Sequence, residues 1–223
     1  MDEWNNEGPN NPKIQQFNNP ARPMNLPNKL TVSRFGLTVV FLWALFWPWP
    51  IPFRGTLALV FFGLAGITDF LDGRIARKRG LITNFGILMD PLADKVMTCS
   101  AFIAFVESSH LKPDAPVRVA AWMVVIIVAR ELAITGLRLL AASKNIVLAA
   151  EKFGKHKTIS QIVVVNALLV VDACHEWPLW LQGIFTPWVV LFAKIMLWVT
   201  VVLTAVSGLI YLWRNRAIYL SDM

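Results

Sequence analysis

Seven uncharged apolar stretches follow one another after Lys29, at 35–53, 55–68, 96–106, 119–129, 158–171, 177–193 and 195–213. A soluble domain has one interior and cannot bury that much apolar chain; 56% hydrophobic residues and ten tryptophans in 223 positions exceed what such a domain hides. The expectation is an all-α polytopic membrane protein. A span needs ~20 residues to cross roughly 30 Å of hydrocarbon, so several of these stretches can cross only if their helices also take in flanking charged residues. Those charges are therefore the informative ones.

Six transmembrane helices are expected at approximately 29–49, 54–78, 86–108, 116–142, 155–173 and 187–213. Segment 174–186, broken by Pro178, suits a membrane interface through Trp177, Trp180 and Leu181. Residues 1–27 are rich in asparagine and proline and lack a signal-peptide pattern, so they read as a flexible cytosolic N-terminal segment. Residues 28–216 form the helical domain and 217–223 a short tail. No internal repeat is present.

The net charge of +7 is dispersed between apolar segments rather than gathered on one polar module, which argues against nucleic-acid binding. With the N-terminus in the cytosol, Lys13, Arg22, Lys29, Arg74, Arg77, Lys78, Arg79, Arg138, Lys144, Lys152, Lys155, Lys157, Arg214 and Arg216 fall on the cytosolic side, and only Arg54, Lys112 and Arg118 on the other. That bias sets the orientation. Cys99 and Cys174 lack metal-type spacing and read as small buried apolar side chains. Trp43, Trp47, Trp49, Trp180 and Trp198 are assigned to interface belts and lipid-facing packing. His110 and His175 fall on the non-cytosolic side.

The charges inside the helices then sort to one depth. Asp69 and Asp72 close an inward-running second helix, and Asp90 and Asp94 open the third. Thr31 and Arg34 open the first, Arg130, Glu131 and Arg138 close the fourth, and Lys155 and Lys157 open the fifth. Ionisable groups from five helices at one level imply a polar cavity open to the cytosol, with the far half apolar. Lys78, Arg79 and Lys95 read as ordinary helix-end charges, and His156 and Lys157 as solvated loop residues.

Asp69 and Asp72 are spaced i,i+3 and Asp90 and Asp94 i,i+4, so each pair shares a helix face. Four carboxylates converging in low dielectric would take up protons unless a cation neutralised them. Oxygen-only ligands suit Mg²⁺ or Mn²⁺, and four of them suit two ions. Gly73, Ala76 and Gly86 interleave with the aspartates and permit close approach of a helix or a flat nucleotide. Arg77, with Arg74 and Lys78 nearby, offers charge to phosphate. Metal, small residues and arginine together point to a diphosphate ligand. Pro91, directly after Asp90, is expected to start or kink the third helix.

Asp69-x2-Asp72-Gly73-x2-Ala76-Arg77-x8-Gly86-x3-Asp90-x3-Asp94 resembles the signature of the CDP-alcohol phosphatidyltransferases, with all eight fixed positions at the right spacing. The likeness continues through Asn28-Lys29-Leu30-Thr31 with Arg34, Ala129-Arg130-Glu131 with Arg138, and Gly154-Lys155-His156-Lys157-Thr158 with Gln161. Over roughly residues 25–215 it is similar to the bacterial members that form phosphatidylglycerophosphate. The resemblance implies a homodimeric enzyme of the bacterial cytoplasmic (inner) membrane. In it the 1-hydroxyl of sn-glycerol 3-phosphate attacks the lipid-bearing phosphorus of CDP-diacylglycerol, and CMP is released. It further implies that Asp69, Asp72 and Asp90 are metal ligands and that Asp94 is general base as well as ligand. Gly73 and Arg77 would contact the cytidine diphosphate, with Ala76 and Gly86 beside it, and Asn28 and Thr31 would line its cytidine end.

A phosphate-bearing acceptor needs fixed positive charge near the metals but not on them, and Arg130, Arg138, Lys155 and Arg34 are the candidates. Arg130 has a competing structural role as an ion-pair partner of Glu131. A sibling transferase using inositol phosphate or a phospholipid as acceptor is the alternative within the family. An ion or metal transporter predicts polar sites near the midplane rather than at one end. A non-catalytic scaffold predicts loss of a signature residue, and none is lost.

Overall fold

Hydrocarbon offers main-chain N–H and C=O groups no partner, and a chain rich in Val, Leu and Ala answers with helices that bond internally. The computed structural model describes residues 26–46, 53–79, 84–111, 114–144, 146 and 152–220, with the main chain alone at 26–31, 69–79, 84–91, 94 and 152–156. Its elements are α1 (Leu26–Phe46), α2 (Arg54–Arg79), α3 (Asn84–Leu111), α4 (Ala121–Ser143), α5 (Lys152–Ala173), a 3-10 turn (Cys174–Glu176), α6 (Leu179–Arg214) and α7 (Arg216–Leu220). No strand occurs among the described residues. By length and composition Lys157–Glu176 and Leu179–Arg214 can each cross a membrane, and Val32–Phe46 and Arg54–Thr68 are shorter apolar helices.

Helix α1 packs on α2 and α3, α5 on α2 and α6, and α4 on α3 and α6. The core is built from small and aromatic residues. Phe41 and Phe62 meet at 5.6 Å between ring centroids, with Ala44, Ala58, Ala65, Ala101 and Ala104 buried around them. Lipid tails are as apolar as leucine, so this close fit holds the helices by dispersion rather than by expulsion of water. The outer faces carry Trp43, Ile67, Val125, Leu132, Trp188 and Leu209 exposed, an apolar exterior of the kind a bilayer covers.

At one end the start of α2 is tied to the end of α5. Glu176 accepts hydrogen bonds from the main-chain N–H of Gly55 at 2.6 Å and of Thr56 at 3.0 Å, and from the Thr56 hydroxyl at 2.9 Å. Trp177 Nε1 donates to the same hydroxyl at 3.1 Å. A carboxylate brought from 120 residues away thus caps the first turn of α2, whose N–H groups have no partner within the helix. A Cβ at Gly55 would lie 3.0 Å from the main chain of Ala173, so the two helices approach closely there.

Three expectations are corrected. The last helix starts at Leu179, not at 187; Pro187 lies inside it, where it forgoes one main-chain hydrogen bond and crowds the Gly183 carbonyl, and Pro178 supplies the N-cap. The fourth helix starts at Ala121, after an irregular stretch that includes Pro116. Beyond α6 the short helix α7 is tied back to α4, its Ile218 carbonyl accepting from Lys144 Nζ at 2.8 Å. The half expected to be apolar contains a cavity of about 590 Å³ whose lining includes Ser108, Ser109, Asp114, Asp172 and His175.

Candidate active site

The main chain of α2 is helical through Arg79 and that of α3 from Asn84 onward. Asp69 and Asp72 therefore share one face of the last three turns of α2, and Asp90 and Asp94 share one face in the second and third turns of α3. Both pairs lie at the ends adjoining the 80–83 connection, and α1 packs against both helices. Pro91 is an interior residue of α3 and does not start it. The side-chain surroundings of Asn28, Thr31, Asp69, Asp72, Gly73, Ala76, Arg77, Gly86, Asp90, Asp94 and Lys155 lie outside the described residues.

Toward the same end, α4 carries a layer of charge that reaches three other helices. Glu131, 6% exposed, accepts a hydrogen bond from Lys157 Nζ on α5 and another from Arg130 Nη1 at 3.2 Å. Lys157 is itself 5% exposed, so its reading as a solvated loop residue is corrected: a buried carboxylate requires a cation, and this one meets it. Lys95 on α3 donates to the Thr135 hydroxyl, which donates to the Glu131 carbonyl at 2.7 Å. It is half-buried and makes a contact between helices, which corrects its reading as an ordinary helix-end charge.

The Arg130 stem crosses α6 at Gly208, where a Cβ would stand 2.7 Å from Arg130 Cγ. Arg130 Nε is buried without a hydrogen-bond partner among the described residues. Arg138 lies on the same helix and is exposed; its Nε donates to the Tyr211 hydroxyl at 3.5 Å, and its guanidinium lies 5.9 Å from that ring centre. Arg34 is almost fully enclosed, on the face of α1 where the Thr38 hydroxyl donates to the Arg34 carbonyl at 2.9 Å. Three further buried polar atoms, Gln161 Nε2, Thr200 Oγ1 and Thr204 Oγ1, have no hydrogen-bond partner among the described residues.

A sequence profile described as CDP-alcohol phosphatidyltransferase matches residues 24–206, which include every signature position. The chain belongs to the CDP-alcohol phosphatidyltransferase family. A Bacillus subtilis (strain 168) protein named CDP-diacylglycerol–glycerol-3-phosphate 3-phosphatidyltransferase is 40% identical over 201 residues, covering 86% of this chain and 95% of the relative. A Rickettsia bellii protein of the same name is 31% identical, over 84% of this chain and 93% of its own length. A Mycobacterium tuberculosis (strain H37Rv) protein named probable phosphatidylglycerophosphate synthase is 37% identical, over 71% of this chain and 72% of its own.

Within this phosphatidyltransferase the arginine positions were readable from sequence, and three of their neighbours were not. Gly208 and Tyr211 sit in an uncharged run with no local mark of their service to Arg130 and Arg138. For Lys157 the signal in sequence is Glu131: an acid within an apolar helix needs a buried cation somewhere in the fold.

Proposed function

We propose that the chain transfers the phosphatidyl group of CDP-diacylglycerol to sn-glycerol 3-phosphate, giving phosphatidylglycerophosphate and CMP. The observation that carries this reading is the complete eight-position signature on the adjoining ends of α2 and α3, in a chain that matches the family over residues 24–206. The relatives named for this reaction, aligned over most of the chain, support glycerol 3-phosphate as acceptor.

The donor set fits hard divalent cations, because it consists of carboxylates alone, spaced i,i+3 and i,i+4 on helical main chain. Asp69, Asp72 and Asp90, with Asp94 as a further ligand, would hold two Mg²⁺ ions, or Mn²⁺ in their place, which supply neutralisation of the diphosphate and of the charge on departing CMP. Gly73 and Arg77 contact the cytidine diphosphate, Ala76 and Gly86 leave it room, and Asn28 and Thr31 line its cytidine end. Asp94 accepts the proton of the acceptor's 1-hydroxyl. That oxygen bonds to the phosphorus bearing the diacylglycerol, and the bond from this phosphorus to the CMP oxygen breaks. Arg130, Arg138, Lys155 and Arg34 hold the acceptor's own phosphate beside the reacting centre.

In this reading six helices cross a bacterial cytoplasmic membrane, the N-terminus and the polar cavity face the cytosol, and residues 28–216 form the catalytic domain of a homodimer. The distribution of basic residues supports the orientation, and family resemblance supports the dimer. The deciding experiment is an acceptor panel with purified protein, CDP-diacylglycerol and Mg²⁺. Metal-dependent CMP release with glycerol 3-phosphate is expected. Release with inositol phosphate and none with glycerol 3-phosphate would overturn the acceptor.

A further inference from the structure

Resting on the acceptor site just proposed, we infer that Lys157 is a positioning residue: it neutralises Glu131 so that the charge of Arg130 stays available to the acceptor's phosphate. The geometry gives one carboxylate two cationic partners. Glu131 receives Lys157 Nζ from α5 and Arg130 Nη1 from its own helix at 3.2 Å. All three residues are largely withdrawn from solvent, with side-chain exposures of 6% for Lys157, 8% for Glu131 and 12% for Arg130. In such surroundings charges are weakly screened and their balance governs what the site attracts. Lys157 and Arg130 both hydrogen-bond this one carboxylate, and Lys95 adds a further positive charge nearby.

The arrangement also decides which cation is left for the acceptor. Lys157 is the more buried cation and lies between helices. Arg130 gives Glu131 only one of its donors, its stem is held over Gly208, and its Nε is buried without a partner among the described residues. A forked guanidinium with a donor in reserve is suited to a phosphate oxygen, as an enclosed ammonium on a carboxylate is not. Without Lys157, Arg130 would be the cation left hydrogen-bonded to Glu131 among the described residues, and its charge would be drawn away from the acceptor.

The test is a comparison of charge variants in which a merely structural tie and a charge balance predict opposite patterns. Lys157→Met should raise KM for glycerol 3-phosphate about tenfold. Glu131→Gln should move it downward, because the carboxylate competing with the acceptor is gone. The double variant should return toward the native value, with KM for CDP-diacylglycerol held within about twofold throughout. Both single variants shifting the acceptor KM in the same direction, or a double variant no better than Lys157→Met, would overturn the inference. Thermal melting in detergent reads folding separately, and Lys157→Gln, which keeps a donor to Glu131, takes the place of the methionine variant if that one does not fold. If the acceptor panel rejects glycerol 3-phosphate, that refutes the proposed acceptor, and the same variants are measured with whichever phosphate-bearing acceptor the panel identifies. An acceptor without phosphate overturns both.

Discussion

At the level of single residues, the arginines that sequence could name are held by residues it could not. Glu131 and Lys157 are 26 positions apart and Arg130 and Gly208 are 78 apart, so no local pattern links them. Only the requirement that a buried charge be paired hints that such neighbours exist. Gly208→Ala places a Cβ 2.7 Å from Arg130 Cγ, an atom near the root of the side chain, so the whole Arg130 side chain or the spacing of α4 and α6 must shift. The melting temperature should fall and the acceptor KM should rise about fivefold; a lowered melting temperature with an unchanged acceptor KM would remove Arg130 from the acceptor site. Asp94→Asn should abolish turnover while CDP-diacylglycerol still binds, since the amide cannot take the hydroxyl proton. Substantial residual CMP release would end its role as base.

Among the elements, the first five helices were legible because uncharged stretches and flanking charges mark them, and observed ends fall within about five residues of those expected. The start of α6 was not legible. Two prolines nine positions apart give the same stop signal in sequence, yet Pro178 ends the preceding irregular stretch while Pro187 rides inside the helix. The cap that Glu176 places on α2 was equally hidden, for it joins residues 120 positions apart. Removing it by Glu176→Ala leaves two N–H groups at the head of α2 unpaired and should cost about 1–2 kcal/mol. The measurement is a lowered melting temperature in detergent, with KM for both substrates unchanged because this tie lies at the end opposite the aspartates.

For the whole molecule, an all-helical chain was readable from the apolar stretches alone, whereas the polar cavity lined by Asp114, Asp172 and His175 was not, because its residues come from separate loops and helix ends. Orientation is open to direct measurement. With Cys99 and Cys174 replaced, a single cysteine at Asp114 should react with a membrane-impermeant maleimide added outside intact cells, and one at Arg216 only after lysis; the opposite result would invert the topology. The length of α6 bears on handling the protein. Thirty-six residues at ~1.5 Å each make a rod of about 54 Å, well beyond the ~30 Å of hydrocarbon that a bilayer provides. Trp188 and Trp213, both exposed, are separated by about 38 Å of helix, close to the distance between the two headgroup layers. The turns before Trp188, with Leu179, Trp180 and Ile184 bare, then continue on the helix axis past the headgroup layer at that end. A micelle just thick enough for the shorter helices leaves that apolar ledge uncovered, so short-chain detergents will drive the particles to stick to one another where longer-chain ones keep them apart.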